Sequence, residues 1–178
     1  MHDDVIPQTL PSLLPRLWRF ALRLTANTHD AEDLVQRACV RALEKRHQFA
    51  PGTSALSWLF SIVHSIWLTE LRSRNLQNRY TSPLSDELVE TLADPLARDP
   101  EVNALHRQLI ASVDALPDAQ RAVMLLIAAE GMSYSEAADT LGIPIGTVMS
   151  RLSRARLTIG LAFGKPSATK TNNKGAAS

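Results

Sequence analysis

The stretch from Ser133 to Arg156, SYSEAADTLGIPIGTVMSRLSRAR, decides how this chain reads. Two helical patterns flank Leu141-Gly142-Ile143-Pro144, a break so short that the helices must meet at a sharp corner. Ser133 followed three residues later by Glu136 is a capping box that fixes the start of the first helix. Ala137 and Ala138 are small enough for a second helix to cross close above them, and Gly142 supplies the backbone freedom of the turn. The second helix divides by face. At about 100° per residue, Ile145, Val148, Leu152, Ala155 and Ile159 form one apolar stripe. Thr147, Ser150, Arg151, Arg154 and Thr158 lie opposite, and no acidic residue occurs between Ile145 and Phe163. An ordinary helical hairpin would carry such a face as solvated surface. A DNA-binding one would use its arginines for phosphates and guanine edges and its hydroxyls for adaptable contacts; the capping box, turn glycine and acid-free face together favour DNA.

Outward from this unit, the 178 residues suffice for one ordinary domain or two small ones. The net charge is +1, but it is unevenly spread: +2 over residues 1–74, −3 over 75–100, −1 over 101–163 and +3 over 164–178. DNA affinity from phosphate neutralisation is therefore modest and salt-sensitive, and calls for a partner. The longest apolar run, Ala122–Ala129, is about half of what a bilayer requires. Asp3 and Asp4 stand where a secretory signal would be basic, and Cys39 is the only cysteine, which fits a reducing cytoplasm. The five histidines are scattered and none shares metal-ligand spacing with Cys39. No nucleotide-binding loop or nucleophile elbow is present, so the sequence predicts no enzyme, catalytic residue, metal, cofactor or small-molecule substrate.

Residues 1–10 read as a loose leader. Leu13–Thr25 repeats apolar residues at helical spacing, with Arg16, Arg19 and Arg23 on the remaining face. After a break at Thr25–Thr28, a second helix opens with Asp30, Glu32 and Asp33, as the helix dipole favours, and runs to about His47. Its buried face is Ala31, Leu34, Val35, Ala38, Ala42 and Leu43. A third helix, capped by Thr53 or Ser54 and ending near Arg74, is apolar over most of its circumference and must sit centrally. Its one polar strip contains Ser57, Ser61, His64, Ser65 and Arg72, with Leu68 among them; it is either the wet side of a core helix or a surface that receives unstacked bases. Residues 75–100 are acidic and contain three prolines, which marks a linker with a helical turn near Asp86–Leu92. Helices over Val102–Leu116 and Pro117–Glu130 lead into the corner, and the tail after Phe163 is polar and basic. The expectation is an all-α chain of two small helical domains: a helical bundle over 10–75 and a helix–turn–helix domain over 101–163, joined by a flexible linker over 76–100 and followed by a disordered tail over 164–178.

Three motifs then resemble one family, the bacterial RNA polymerase sigma factors of the sigma-70 type, in their small extracytoplasmic-function group. Asp30-Ala31-Glu32-Asp33-Leu34-Val35-Gln36 is similar to the family's polymerase-binding signature in region 2. Trp58-Leu59-Phe60-Ser61-Ile62, continuing to Glu70-Leu71-Arg72-Ser73-Arg74, resembles its promoter-melting, −10-reading helix. Leu116-Pro117-Asp118-Ala119-Gln120-Arg121, with Gly146-Thr147-Val148, Ser150-Arg151-Leu152 and Arg154-Ala155-Arg156, resembles the −35-reading region 4. The resemblance implies that Asp33, Leu34, Gln36, Arg37 and Val40 face the clamp helices of the polymerase β′ subunit. It implies that His64, Ser65, Arg72 and Arg74 lie near the −10 strand, and that Thr147, Ser150, Arg151 and Arg154 enter the −35 major groove. Arg156, near the apolar edge, is assigned to structure or a phosphate. The implied partners are core RNA polymerase, promoter DNA and an anti-sigma factor that sequesters both DNA-binding faces, without membrane insertion. Two departures stand out: Ser65 where the family commonly has Asn, and Thr69 where it has Asp. A hydroxyl cannot offer the paired donor and acceptor of an amide, so a changed −10 preference is expected. A helix–turn–helix regulator that needs no polymerase would leave the DAEDLVQ segment and the Trp-rich helix without a role. A sigma mimic that titrates an anti-sigma factor would leave the arginine face without one.

Overall fold

The computed structural model describes residues 5–50, 52–78 and 100–164, and all regular structure among them is helical. Helices α1 (Val5–Thr25), α2 (Thr28–Glu44) and α3 (Ala55–Asn78) form an N-terminal bundle. Helices α4 (Pro100–Asp114), α5 (Asp118–Met124), α6 (Tyr134–Leu141) and α7 (Ile145–Gly164) form the C-terminal domain. The helical turn expected near Asp86–Leu92 and the tail fall outside the described residues.

Helix α1 starts eight residues before Leu13, and most of the supposed leader is therefore helix. Ile6 and Leu10 are buried, which gives this first part a reason to fold. Pro7, Pro11 and Pro15 obscured it. Prolines remove helical N–H donors, but these three recur every fourth residue and all face solvent, where water can take the freed carbonyls. The Thr9 and Ser12 hydroxyls donate to the carbonyls of Val5 (2.6 Å) and Thr9 (2.7 Å), so both side chains are satisfied within the helix.

Ala26 takes a left-handed φ of 52° between α1 and α2, and Asn27 caps α2 by accepting from the Asp30 amide at 2.9 Å. The chain leaves α2 at Glu44 and makes a 3₁₀ turn over Arg46–Gln48, so the helix is shorter than its pattern suggested. Leu43 stays partly exposed, while Ala31, Leu34, Val35, Ala38 and Ala42 are buried as expected. Helix α3 is central, with Leu59, Phe60 and Val63 fully enclosed. The Phe60 ring packs on Phe20 of α1 at 4.6 Å between centroids, and Trp58 meets Phe49 edge-on at 5.5 Å. Ion pairs tie α2 to α3: Arg74 with Asp30 at 2.7 Å, and Arg37 with Glu70.

In the C-terminal domain the expected helix over Pro117–Glu130 divides into α5 and a wide π turn over Leu125–Ala129, closed by the Glu130 amide on the Leu125 carbonyl at 3.0 Å. Gly131 (φ 71°) ends it. The capping box forms in both directions: the Glu136 amide donates to Ser133 Oγ at 3.2 Å and the Ser133 amide to Glu136 Oε2 at 2.8 Å. Gly142 adopts φ 63°, the left-handed region that the corner requires. Val148, Leu152 and Ala155 of α7 are buried on α5 and α6, but Ile145, at the entry of the helix, is largely exposed.

The two domains touch. Arg16 of α1 donates to Glu130 (Nε to Oε2, 2.8 Å), Arg23 donates to Asp114 at 2.8 Å, and Arg121 of α5 donates to the Leu24 carbonyl at 2.8 Å. Helix α6 packs across α3.

Candidate nucleic-acid interface

Three surfaces carry the residues singled out above. On α2, Asp33, Gln36, Arg37 and Val40 project outward, and Val40 is 56% exposed. Singly exposed apolar side chains are ordinary on protein surfaces, so Val40 gains meaning only from the groove it borders. Gln36, Arg37 and Val40 line a shallow groove with Arg41, Glu44, Lys45 and Ile66. A second groove, between α1 and α2, has a mostly apolar lining of Leu14, Pro15, Trp18 and Val35 and shares Gln36 with the first. Leu34 departs from expectation. It is wholly buried, because the step from Ala31 to Leu34 to Ala38 stays on the core side of the helix. It can hold the docking face in place but cannot be part of it. Arg37 also has two intramolecular partners, Asp33 at 3.3 Å and Glu70.

The polar strip of α3 does not form one open surface. Ser65 and Arg72 are exposed. Arg74 is engaged by Asp30 and stacks over Trp67 at 5.5 Å. His64 is only 8% exposed. Burial, with the Arg151 guanidinium as a second cause, lowers its pKa from 6.5 to about 4, so the imidazole is neutral at pH 7. Ser61 and Thr69 turn their hydroxyls back on the carbonyls of Trp58 (2.6 Å) and Ser65 (3.0 Å).

On α7, Ser150 and Arg154 are fully presented, whereas Thr147 and Arg151 are half-buried. Arg156 is exposed at the edge, and Ser150 and Thr158 bond locally to the carbonyls of Thr147 (3.1 Å) and Arg154 (3.0 Å). Among the described residues no acid pairs with Arg151, Arg154 or Arg156, and an unpaired guanidinium suits phosphates and base edges. The sequence reading missed Leu157 and Leu161, exposed on the flank of the same helix. It also missed Glu130 and Asp114, whose partners lie 114 and 91 positions away. Among the described residues no cluster of His, Cys, Asp and Glu is arranged for a metal, and no helix is long and apolar enough to cross a membrane. Burial raises the pKa of the Cys39 thiol, as for a small hydrophobe rather than a reactive thiolate.

Comparison with known proteins bears on both halves. Residues 11–77 match the family profile described as Sigma-70 region 2, and residues 106–159 the one described as Sigma-70, region 4. The chain is 31% identical over 156 residues to the ECF RNA polymerase sigma factor EcfG of Rhodopseudomonas palustris, covering 88% of this chain and 81% of that protein. It is 38% identical over 153 residues to the ECF RNA polymerase sigma factor SigL of Mycobacterium tuberculosis, covering 80% and 82% respectively. Among solved structures it is similar to the sigma factor RpoE from Bartonella quintana, crystallised with the anti-sigma factor NepR. The TM-score is 0.78 at 29% identity, over 90% of this chain and 97% of that one. It is also similar to CnrH in complex with the cytosolic domain of CnrY, with a TM-score of 0.59 at 25% identity, over 88% of this chain and 86% of that one.

Proposed function

This chain belongs to the sigma-70 family of RNA polymerase sigma factors, in its extracytoplasmic-function group, and we propose a division of labour among its three surfaces. As a sigma factor it binds core polymerase and directs promoter recognition and transcription initiation. In the proposal, residues 10–75 dock on polymerase and take the −10 strand, residues 101–163 read the −35 duplex, and 76–100 connect them. The observation that carries the reading is the order of two matched regions together with an acid-free arginine face on α7.

The α2 groove around Gln36, Arg37 and Val40 receives the β′ clamp helices, Asp33 borders it, and Leu34 supports it from the core. Thr147, Ser150, Arg151 and Arg154 enter the −35 major groove. Arginine is suited to the N7 and O6 acceptors of guanine, and the hydroxyls adapt to either base pair. His64, Ser65, Arg72 and Arg74 lie beside the opened −10 strand. Docking and −35 contacts offset the few kcal/mol that extruding a base costs. The role is recruitment, without catalysis, cofactor or metal, and it places the protein in the cytoplasm with its polymerase. An anti-sigma factor that covers both domains is the fitting regulator, since the sigma factor RpoE, which this chain resembles, was crystallised with one.

The test is docking. The chain co-purifies with core polymerase, and Val40→Asp, which puts a charge on the exposed apolar contact, reduces retention at least about tenfold, or about 1.4 kcal/mol. Retention unchanged by Val40→Asp removes the α2 groove from the proposal.

A further inference from the structure

The burial pattern of α7 decides which of its side chains can reach into a groove. Val148, Leu152 and Ala155 are sealed, and at about 100° per residue they place the core on one side of the helix. Ser150 lies almost directly opposite, with Ser153 and Arg154 on its two sides, and all three are exposed. Thr147 and Met149 border this outward face, each within about 90° of its centre. Arg151 lies farther round, at about 110°, and is half-buried. Met149 is therefore better placed than Arg151 to meet a base, and it is 52% exposed. Ile145, one turn earlier on the same edge, is 49% exposed, and neither side chain contributes to the buried core. Singly exposed apolar residues are ordinary. This pair, however, stands at the entry of a helix whose other outward residues are glycine, hydroxyls and arginines.

We infer that Met149 reads the C5 methyl group of a thymine in the −35 element and so fixes an A·T pair at one position. The inference rests on α7 entering the −35 major groove, as in the proposed function, and adds a specificity residue to the four assigned there. A recognition helix meets base edges with its N-terminal residues, and Met149 is the fifth of the 20 residues of α7. Its thioether is uncharged and only a weak acceptor, so it neither neutralises a phosphate nor satisfies the polar edge of a base. The thymine methyl is the apolar feature that the major groove offers such a side chain, and its position separates A·T from T·A. Three rotatable bonds let the sulfur and terminal methyl of Met149 adapt to it. Burying one such group is worth about 0.8 kcal/mol, which is about fourfold in affinity. Met149 thus refines a preference that the arginines and hydroxyls anchor.

The experiment uses the full chain bound to core polymerase and begins by selecting a −35 element from randomised duplexes. Each thymine of the selected element, on either strand, is then replaced singly by deoxyuridine, which removes the methyl group and keeps the base pairing. At one position the replacement should weaken binding by the parent about fourfold. Met149→Ala should bind the thymine and deoxyuridine duplexes equally, with the parent's affinity for the deoxyuridine one. That retained affinity excludes misfolding as the cause. The inference is overturned if no single replacement weakens the parent, or if parent and Met149→Ala lose equally. A selected element without an A·T pair overturns it as well. In each of these cases a defined −35 preference survives, and the assignment of α7 to the −35 groove stands. A holoenzyme with no −35 preference at all instead overturns the functional reading on which the inference rests.

Discussion

Protonation of His64 should destabilise the folded chain over a defined pH window. The side chain is buried on α3, and that burial, with the Arg151 guanidinium as a second cause, holds its pKa at about 4 against an ordinary 6.5. The folded value is the lower one, so the unfolded chain binds the extra proton first as pH falls. Stability is complete above the ordinary value, declines from about pH 6.5, and levels off below about pH 4. The full span is about 3.4 kcal/mol at about 1.36 kcal/mol per pKa unit, of which about 2 kcal/mol is lost by pH 5. Urea unfolding at pH 7 and pH 5 measures it, with His64→Gln as the reference, since the amide does not titrate. The native chain is expected to lose about 2 kcal/mol more than His64→Gln between these pH values. Equal losses, or an NMR titration placing the His64 imidazole near 6.5 in the folded chain, would show that folding does not bury this histidine.

Other consequences follow from particular residues. Arg151→Ala should cost about 1–3 kcal/mol in −35 affinity and relax selectivity at one base pair; unchanged preference in binding selections removes Arg151 from base reading. A randomised −10 library selected by the holoenzyme should yield a preference different from the family's common one, because Ser65 and Thr69 lack an amide; recovery of the common sequence contradicts this. Gly142→Ala places a side chain at φ 63° and should lower stability by about 1–2 kcal/mol in thermal melts, with the same corner in the crystal. Asp114→Asn should leave the domains closed at pH 7, because burial raises the carboxyl pKa despite Arg23 and Arg121 and the charged form is the costly one. Energy transfer between the two domains reads this directly, and opening by Asp114→Asn contradicts it.

What the sequence disclosed depended on the range of the signal. The helix–turn–helix was legible almost residue by residue, because the Ser133–Glu136 box, Gly142 and the Val148–Leu152–Ala155 stripe all act within one or two turns. The start of α1 was not, since three prolines normally end a helix and only their common solvent face makes them tolerable here. Leu34 and Val40 show how sharp a helical face is: six residues apart in α2, one is sealed in the core and the other more than half exposed. The ion pairs between the domains left no local trace. Arg16 and Arg23 read as a solvated face on α1, and nothing in a periodic pattern says that Glu130 and Asp114 wait for them about a hundred positions away. His64 was visible as an oddity in an apolar helix, but whether bases or another domain would cover it depends on tertiary packing.

Run-off transcription with purified core polymerase tests the central claim most directly. On a template library with randomised −35 and −10 elements, core polymerase plus this chain should initiate from a defined sequence pair, and neither component alone should do so. Loss of that selectivity at the −35 position alone, on replacing Arg151 and Arg154 with alanine, is the predicted companion result. No promoter-dependent transcript from the intact chain, despite its binding to duplex DNA, would contradict the account.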